Sequence, residues 1–239
     1  GVQTCALPIF QLKAFDALDD GQSVLVAAPT GSGKTVVAEY AIDAAIADGA
    51  RAFYTAPVKA LSNQKYHDLV ERLGAHQVGL LTGDNSINGD APVVVMTTEV
   101  LRNMIYAKAH GLRDLAIVVL DEVHFLQDTY RGPVWEEVIV HLPSEVSLVC
   151  LSATVSNADE VAEWITTVRG TCIQVSEDRR PVRLFGPDQG AGRALGRDLD
   201  DGPDLFAQPR EIGRQDRRGY PTLAHLKVAP LTHQPPAGR

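Results

Sequence analysis

Residues Ala28 to Thr35 read APTGSGKT, directly behind the apolar run SVLVA and ahead of a stretch with helical periodicity. Gly31 and Gly33 allow the chain to turn its backbone N–H groups, with the N-terminus of the following helix, toward phosphate oxygens. Thr30 and Ser32 complete that loop, Lys34 carries a cation to the β- and γ-phosphates, and the Thr35 hydroxyl is a ligand for Mg²⁺. The strict pattern places Gly at position 28, where this chain has Ala, so the loop is a variant. A second group, DEVH from Asp121 to His124, stands behind AIVVL. Asp121 is suited to holding Mg²⁺ through water, and Glu122 to orienting and deprotonating a water that attacks a γ-phosphate. Alone, DEVH is as readily a solvated acidic strand end; two phosphate-chemistry motifs behind two strands point to nucleoside triphosphate hydrolysis. A third group, Ser152, Ala153 and Thr154 behind SLVCL, is in isolation no more than turn or cap chemistry.

Such groups need a scaffold that brings the ends of separate strands together. From Ser23 the chain alternates short β-rich runs with helical stretches: SVLVAAP, a helix over Thr35 to Asp48, AFYTAP, and a helix over Ala60 to Leu73. It continues through VGLL, VVVMTT, a helix over Glu99 to Ala107, AIVVLDEVH, a helix over Val134 to Val140, SLVCLSAT, a helix over Ala158 to Val168, and TCIQVS. Apolar strands separated by helices predict an α/β fold, a parallel sheet with helices on both faces, and a site at the carboxyl ends of its strands. Tyr40, Trp135 and Trp164 lie at helical spacing among aliphatics and read as core. The adjacent Glu136 and Glu137 point in different directions on a helix and carry no paired-carboxylate chemistry. His67, His76 and His110 lack metal-ligand spacing.

With 45% apolar and 22% charged residues, the 239-residue chain has ordinary globular composition. The longest aliphatic run, Leu115 to Leu120, is far short of the roughly 18 residues a membrane helix needs, so no membrane partner is expected. Three cysteines without a paired pattern fit a reducing, cytoplasmic setting. The net charge of −8 excludes bulk attraction to a polyanion and leaves nucleic-acid binding to local groups. Residues 1–9, GVQTCALPI, resemble a translated sequencing adapter and are set aside. Residues 185–239 hold eight Gly and seven Pro with little periodicity, which predicts a disordered tail or an out-of-frame translation.

Taken together, APTGSGKT, YTAPVKALSNQKY, TGDNSINGDAPVVVMTTEVLRNMIY, VVLDEVHFLQDTYRGPVWEEVI and LSAT resemble the first RecA-like domain of superfamily-two DExH RNA helicases. The branch is the superkiller and exosome-associated one with its actinobacterial relatives, and the resemblance covers residues 10–184. It implies a RecA-like P-loop fold, ATP and Mg²⁺ as cofactors, and RNA as partner, with DNA as the alternative. Gln11, with Phe10 beside it, resembles the adenine-reading glutamine. Pro57, Lys59, Asn63 and Gln64, then Thr82, Gly83 and Asp84, then Thr97, Thr98, Glu99 and Arg102 resemble the motifs that grip a nucleic-acid backbone. Short polar side chains and helix N-termini are how an acidic domain does this without reading bases. Ser152, Ala153 and Thr154 resemble the motif that couples hydrolysis to strand separation, and His124 the histidine that links it to the ATP site. The resemblance also implies a second RecA-like domain with an arginine finger; past RRPVRL, Arg179 to Leu184, no such motif is spelled. Two other readings stand beside the helicase fragment: a nucleotide-dependent RNA-binding module that does not unwind, and a DNA helicase.

Overall fold

The computed structural model describes residues 7–153 and 158–177. All lie in the first of the two units into which the chain divides, Gly1–Pro181 and Val182–Arg239. Residues 1–6, Thr154 and the Gly/Pro-rich segment 185–239 therefore lie outside the described residues.

Among the described residues eight strands, β1 (Ser23–Ala27), β2 (Arg51–Ala56), β3 (Val78–Leu81), β4 (Ser86–Ile87), β5 (Val93–Thr97), β6 (Leu115–Leu120), β7 (Ser147–Ser152) and β8 (Cys172–Ser176), form one sheet. Their order is β4-β3-β5-β2-β6-β7-β1-β8. Every pairing is parallel except β3 with β4. Strands β1 and β5 are buried at every residue, as sheet covered on both faces requires, and this is why they read as unbroken apolar runs. Among the described residues six α-helices cover it: α1 (Ile9–Asp19), α2 (Lys34–Ala47), α3 (Lys59–Leu73), α4 (Thr98–Tyr106), α5 (Gly132–His141) and α6 (Ala158–Arg169). The RecA-like α/β fold expected from the sequence is the fold observed.

Three elements depart from the expectation. Helix α1 is additional and begins at Ile9, inside the stretch set aside as foreign; Phe10, Leu12 and Phe15 are buried in it. Strand β4 adds an antiparallel edge of two residues, too short for its alternation to register in the sequence. Helix α5 starts two residues earlier than its periodicity suggests, with Pro in its first turn, where the missing N–H costs nothing.

The core on one face of the sheet is built from Phe53, Met96, Leu101, Leu120, Trp135, Ile139 and Ile165. Trp135 is fully buried, and Trp164 packs half-buried against the same cluster. On α2, Tyr40 is buried and its ring stacks on Phe15 of α1 at 4.2 Å between centroids. Gly132 lies so close to the Leu126 carbonyl that a Cβ would collide with it, which pins the start of α5 under the acidic turn after β6. Two guanidinium groups tie down loops. Arg51 donates to the carbonyls of Gly89, Ala91 and Gly111, and Arg169 to those of Ile139, Leu142, Pro143 and Val146.

Cys150 on β7 and Cys172 on β8 are buried free thiols. Burial pushes the Cys150 thiol well above its usual range and that of Cys172 up to about 12. Since thiolate is the reactive form, about one Cys172 in 10⁴ is ionised at pH 8. Iodoacetamide at pH 8 should leave both residues unlabelled in the native chain and label both in guanidinium, read by mass spectrometry of the peptides. Equal labelling rates in the two conditions would show that β7 and β8 are not packed as described.

Candidate active site

Strands β6, β7 and β1 are neighbours, so the segments leaving their carboxyl ends converge. The Ser152 carbonyl at the end of β7 accepts the Ala28 N–H at 3.2 Å and the Lys34 Nζ at 3.0 Å. The loop after β1 is thereby anchored to its neighbour at both ends. Gly31 (φ +81°) and Gly33 (φ +88°) hold the left-handed conformation that lets this loop turn into α2, one that other L residues adopt only with strain. Burial lowers the Lys34 pKa, while the carboxylates of Glu122 and Asp121 oppose the shift.

Gln11 on α1 lies against this loop. Its Nε2 donates to the Gly33 carbonyl at 3.0 Å, and a Cβ on Gly33 would sit 2.6 Å from that nitrogen. Gln11 Oε1 and Ser32 Oγ are buried with no hydrogen-bond partner among the described residues. Native interiors seldom leave polar atoms in that condition, so an acceptor and a hydroxyl beside a phosphate-type loop fit a nucleotide's amino and phosphate groups.

The acidic turn is held from several sides. The Asp121 N–H donates to the Thr55 carbonyl at 3.0 Å, extending the β6–β2 ladder by one residue. Of the carboxylate oxygens, Oδ1 accepts the Glu122 N–H at 2.9 Å and Oδ2 accepts the Tyr54 hydroxyl at 2.6 Å. Glu122 has φ +54°, a left-handed conformation that costs a non-glycine residue about 1–3 kcal/mol and that clusters at functional sites. Its Oε2 lies 3.1 Å from His124 Nδ1. His124 Nδ1 makes no hydrogen bond among the described residues. The His124 ring stacks on Phe125 at 4.8 Å. Ser152 Oγ is a further buried hydroxyl without a partner among the described residues.

The other expected site residues divide into groups. Lys59 Nζ pairs with Asp84 at 2.9 Å, and the Thr82 hydroxyl donates to the same carboxylate at 2.9 Å. Those two bonds hold the Asp84 carboxyl below its usual range. Gly83 is exposed beside them. Pro57, Thr97 and Thr98 are buried, and the Thr98 hydroxyl donates to the Ala56 carbonyl at 3.4 Å, binding the start of α4 to the end of β2. Asn63 and Glu99 are half-buried and Gln64 is exposed. Arg102 does not join the Lys59 group. It faces α5, 3.7 Å from Glu137, and donates to Asn103. Ala153 follows β7, and Thr154 lies outside the described residues. Among the described residues no group of three or more His, Cys, Asp or Glu side chains could cage a metal.

Tyr54 is the site residue that the sequence did not disclose. In RAFYTA it reads as one more strand aromatic, and only its pairing across β2 and β6 sets its hydroxyl on the acidic turn.

Residues 8–161 match the family described as DEAD/DEAH box helicase. The chain belongs to that family. Over 180 residues it is 60% identical to the probable helicase HelY of Mycobacterium leprae, covering 75% of this chain and 20% of that one. It is 52% identical over 181 residues to the chloroplastic DExH-box ATP-dependent RNA helicase DExH15 of Arabidopsis thaliana, covering 73% and 16%. It is 48% identical over 179 residues to the exosome RNA helicase MTR4 of Homo sapiens, covering 74% and 17%. These relatives agree with the branch that the motifs resemble, and the chain spans about a fifth or less of their lengths. Among solved structures, Mycobacterium smegmatis helicase Lhr bound to ssDNA and AMP-PNP superposes with a TM-score of 0.62 at 29% identity, covering 73% of this chain and 26% of that one.

Ser32 Oγ and Ser152 Oγ are buried and make no hydrogen bond among the described residues. Ser32→Ala and Ser152→Ala should each leave the thermal midpoint within about 2 °C of wild type or raise it. A loss of more than about 5 °C on scanning calorimetry would show that these hydroxyls are structural.

Proposed function

We propose that this chain is the ATP-binding RecA-like domain of an ATP-dependent RNA helicase, and that its parent couples Mg-ATP hydrolysis to translocation on, or unwinding of, RNA. The observation that carries this reading is the convergence of Lys34, Asp121, Glu122 and the Ser152 carbonyl at the ends of three adjacent strands, with Gln11 seated on the same loop. Lys34, Thr30, Gly31, Ser32 and Gly33 bind the phosphates through an ammonium and backbone N–H groups. Gln11 offers its free Oε1 to the adenine amino group. Thr35 and Asp121 would hold Mg²⁺, which would supply neutralisation of the phosphate charge. Glu122 orients the attacking water and takes its proton, and His124 lies in contact with that carboxylate on the side toward β7.

RNA is favoured because relatives at 48–52% identity are named RNA helicases. DNA is the alternative, since the Lhr structure is described with ssDNA. Lys59, Thr82, Gly83 and Asp84 supply the local grip that an acidic chain requires, supported by the buried Pro57, Thr97 and Thr98. Asn63, Gln64 and Glu99 line the same end of the sheet, and Arg102 reaches the strand only after leaving Glu137. A second RecA-like domain completes the cleft in the parent. No helix among the described residues is long and apolar enough to cross a membrane, and the cytoplasm is the proposed setting.

The test is Mg²⁺-dependent binding of a fluorescent ATP analogue by the 239-residue chain, followed by competition between poly(A) RNA and single-stranded DNA. Lys34→Ala should weaken nucleotide binding roughly tenfold or more. Glu122→Gln in the full-length parent should retain binding and slow hydrolysis about 10²- to 10⁴-fold. Arginine fingers contribute about 10³- to 10⁵-fold, so the chain by itself should turn over slowly. Nucleotide affinity unchanged in Lys34→Ala would sink the proposal, and fast RNA-stimulated turnover by this chain alone would remove the need for a second domain.

A further inference from the structure

We infer that Tyr54 is a positioning residue for Asp121, fixing the rotation of its carboxylate for metal binding through a hydrogen bond from one strand to the next. The inference rests on the nucleotide-hydrolysing reading above and assigns to it a residue outside the phosphate loop and the acidic turn.

Tyr54 is 2% exposed, in the middle of β2 and opposite Val119 of β6. A buried phenol needs a partner for its hydroxyl, and packing alone would be served as well by Phe, as at Phe53 next to it. The partner is Asp121 Oδ2, at 2.6 Å, in the range of a charge-assisted bond. In that bond the Tyr54 hydroxyl donates and the Asp121 carboxylate accepts. Asp121 Oδ1 is held separately by the Glu122 N–H at 2.9 Å. With one donor on each oxygen the carboxylate plane cannot turn, and each oxygen keeps a lone pair for a metal ion or its water. Strand β2 thus holds Asp121 twice, through the Thr55 carbonyl on its backbone and through Tyr54 on its side chain. Removing the Tyr54 hydroxyl cuts only the second tie and leaves the strand pairing intact. Groups that orient metal ligands in this way typically contribute about 10- to 100-fold to metal affinity.

The experiment is a Mn²⁺ titration of the purified 239-residue chain with saturating AMP-PNP, read by electron paramagnetic resonance. It runs beside binding of a fluorescent ADP analogue in EDTA. Tyr54→Phe should raise the Mn²⁺ concentration for half-occupancy about tenfold and leave metal-free nucleotide affinity within about twofold. In an Asp121→Asn background the same substitution should add less than about twofold, because the partner is already lost. Incorporating para-aminophenylalanine at position 54 restores an N–H donor of similar reach and should bring the midpoint back. It also keeps the question open to refutation should Tyr54→Phe fail to fold. An unchanged Mn²⁺ midpoint in folded Tyr54→Phe, or no rescue by the amino analogue, overturns the inference and leaves the proposed function standing. Absence of any nucleotide binding by the wild-type chain overturns both.

Discussion

The main-chain oxygen of Ser152 receives two hydrogen bonds, one from the backbone of Ala28 and one from the ammonium of Lys34. This places the end of β7, the loop after β1 and the first residue of α2 in one rigid group. The constraint behind it is strand adjacency: β7 lies between β1 and β6, so whatever leaves β1 and β6 at their carboxyl ends must face across the end of β7. A parallel sheet provides this because all its carboxyl ends share one edge, and the helices that follow start there with their N–H groups unsatisfied. Phosphate-type chemistry at this edge follows from topology as much as from residue type.

Charge is managed locally. The chain carries a net −8, yet the cation of Lys34 is drawn from solvent and set where Glu122 and Asp121 offset part of its desolvation. Lys59, Thr82 and Asp84 form an exposed cluster whose bonds among themselves are in high dielectric. Such exposed pairs are weak in water, so exchanging them for contacts with a ligand costs little. The strained φ of Glu122 belongs to the same economy of position. It is tolerated because Asp121 is bonded on its backbone and on both carboxylate oxygens, leaving the next residue little freedom.

Much of the site was legible as strings: APTGSGKT and DEVH each stand behind an apolar strand, and the structure puts both at the same sheet edge. Helix bounds agree to within two residues because apolar periodicity and helix burial are the same fact seen twice. What was not legible depended on side-chain direction. Arg102 reads as a nucleic-acid cation, but its position on α4 turns it toward Glu137 of α5. Thr98 reads as a polar contact, yet its hydroxyl is spent on the Ala56 carbonyl. Helix α1 follows an unusual N-terminal segment and carries only a weak amphipathic pattern, so nothing in its composition announced that Phe10 and Phe15 would be core.

By itself the sequence determined the α/β class, the parallel sheet, the family resemblance and the residue types of the site, because local motifs and periodicity are properties of neighbours along the chain. The tertiary structure alone decided the strand order and the antiparallel edge at β4. It also set Gln11 against Gly33, 22 residues apart, and brought Tyr54 to Asp121 across 67 residues. Those contacts arise from register between strands and from helix packing, which involve distances through space that no spacing along a single chain encodes.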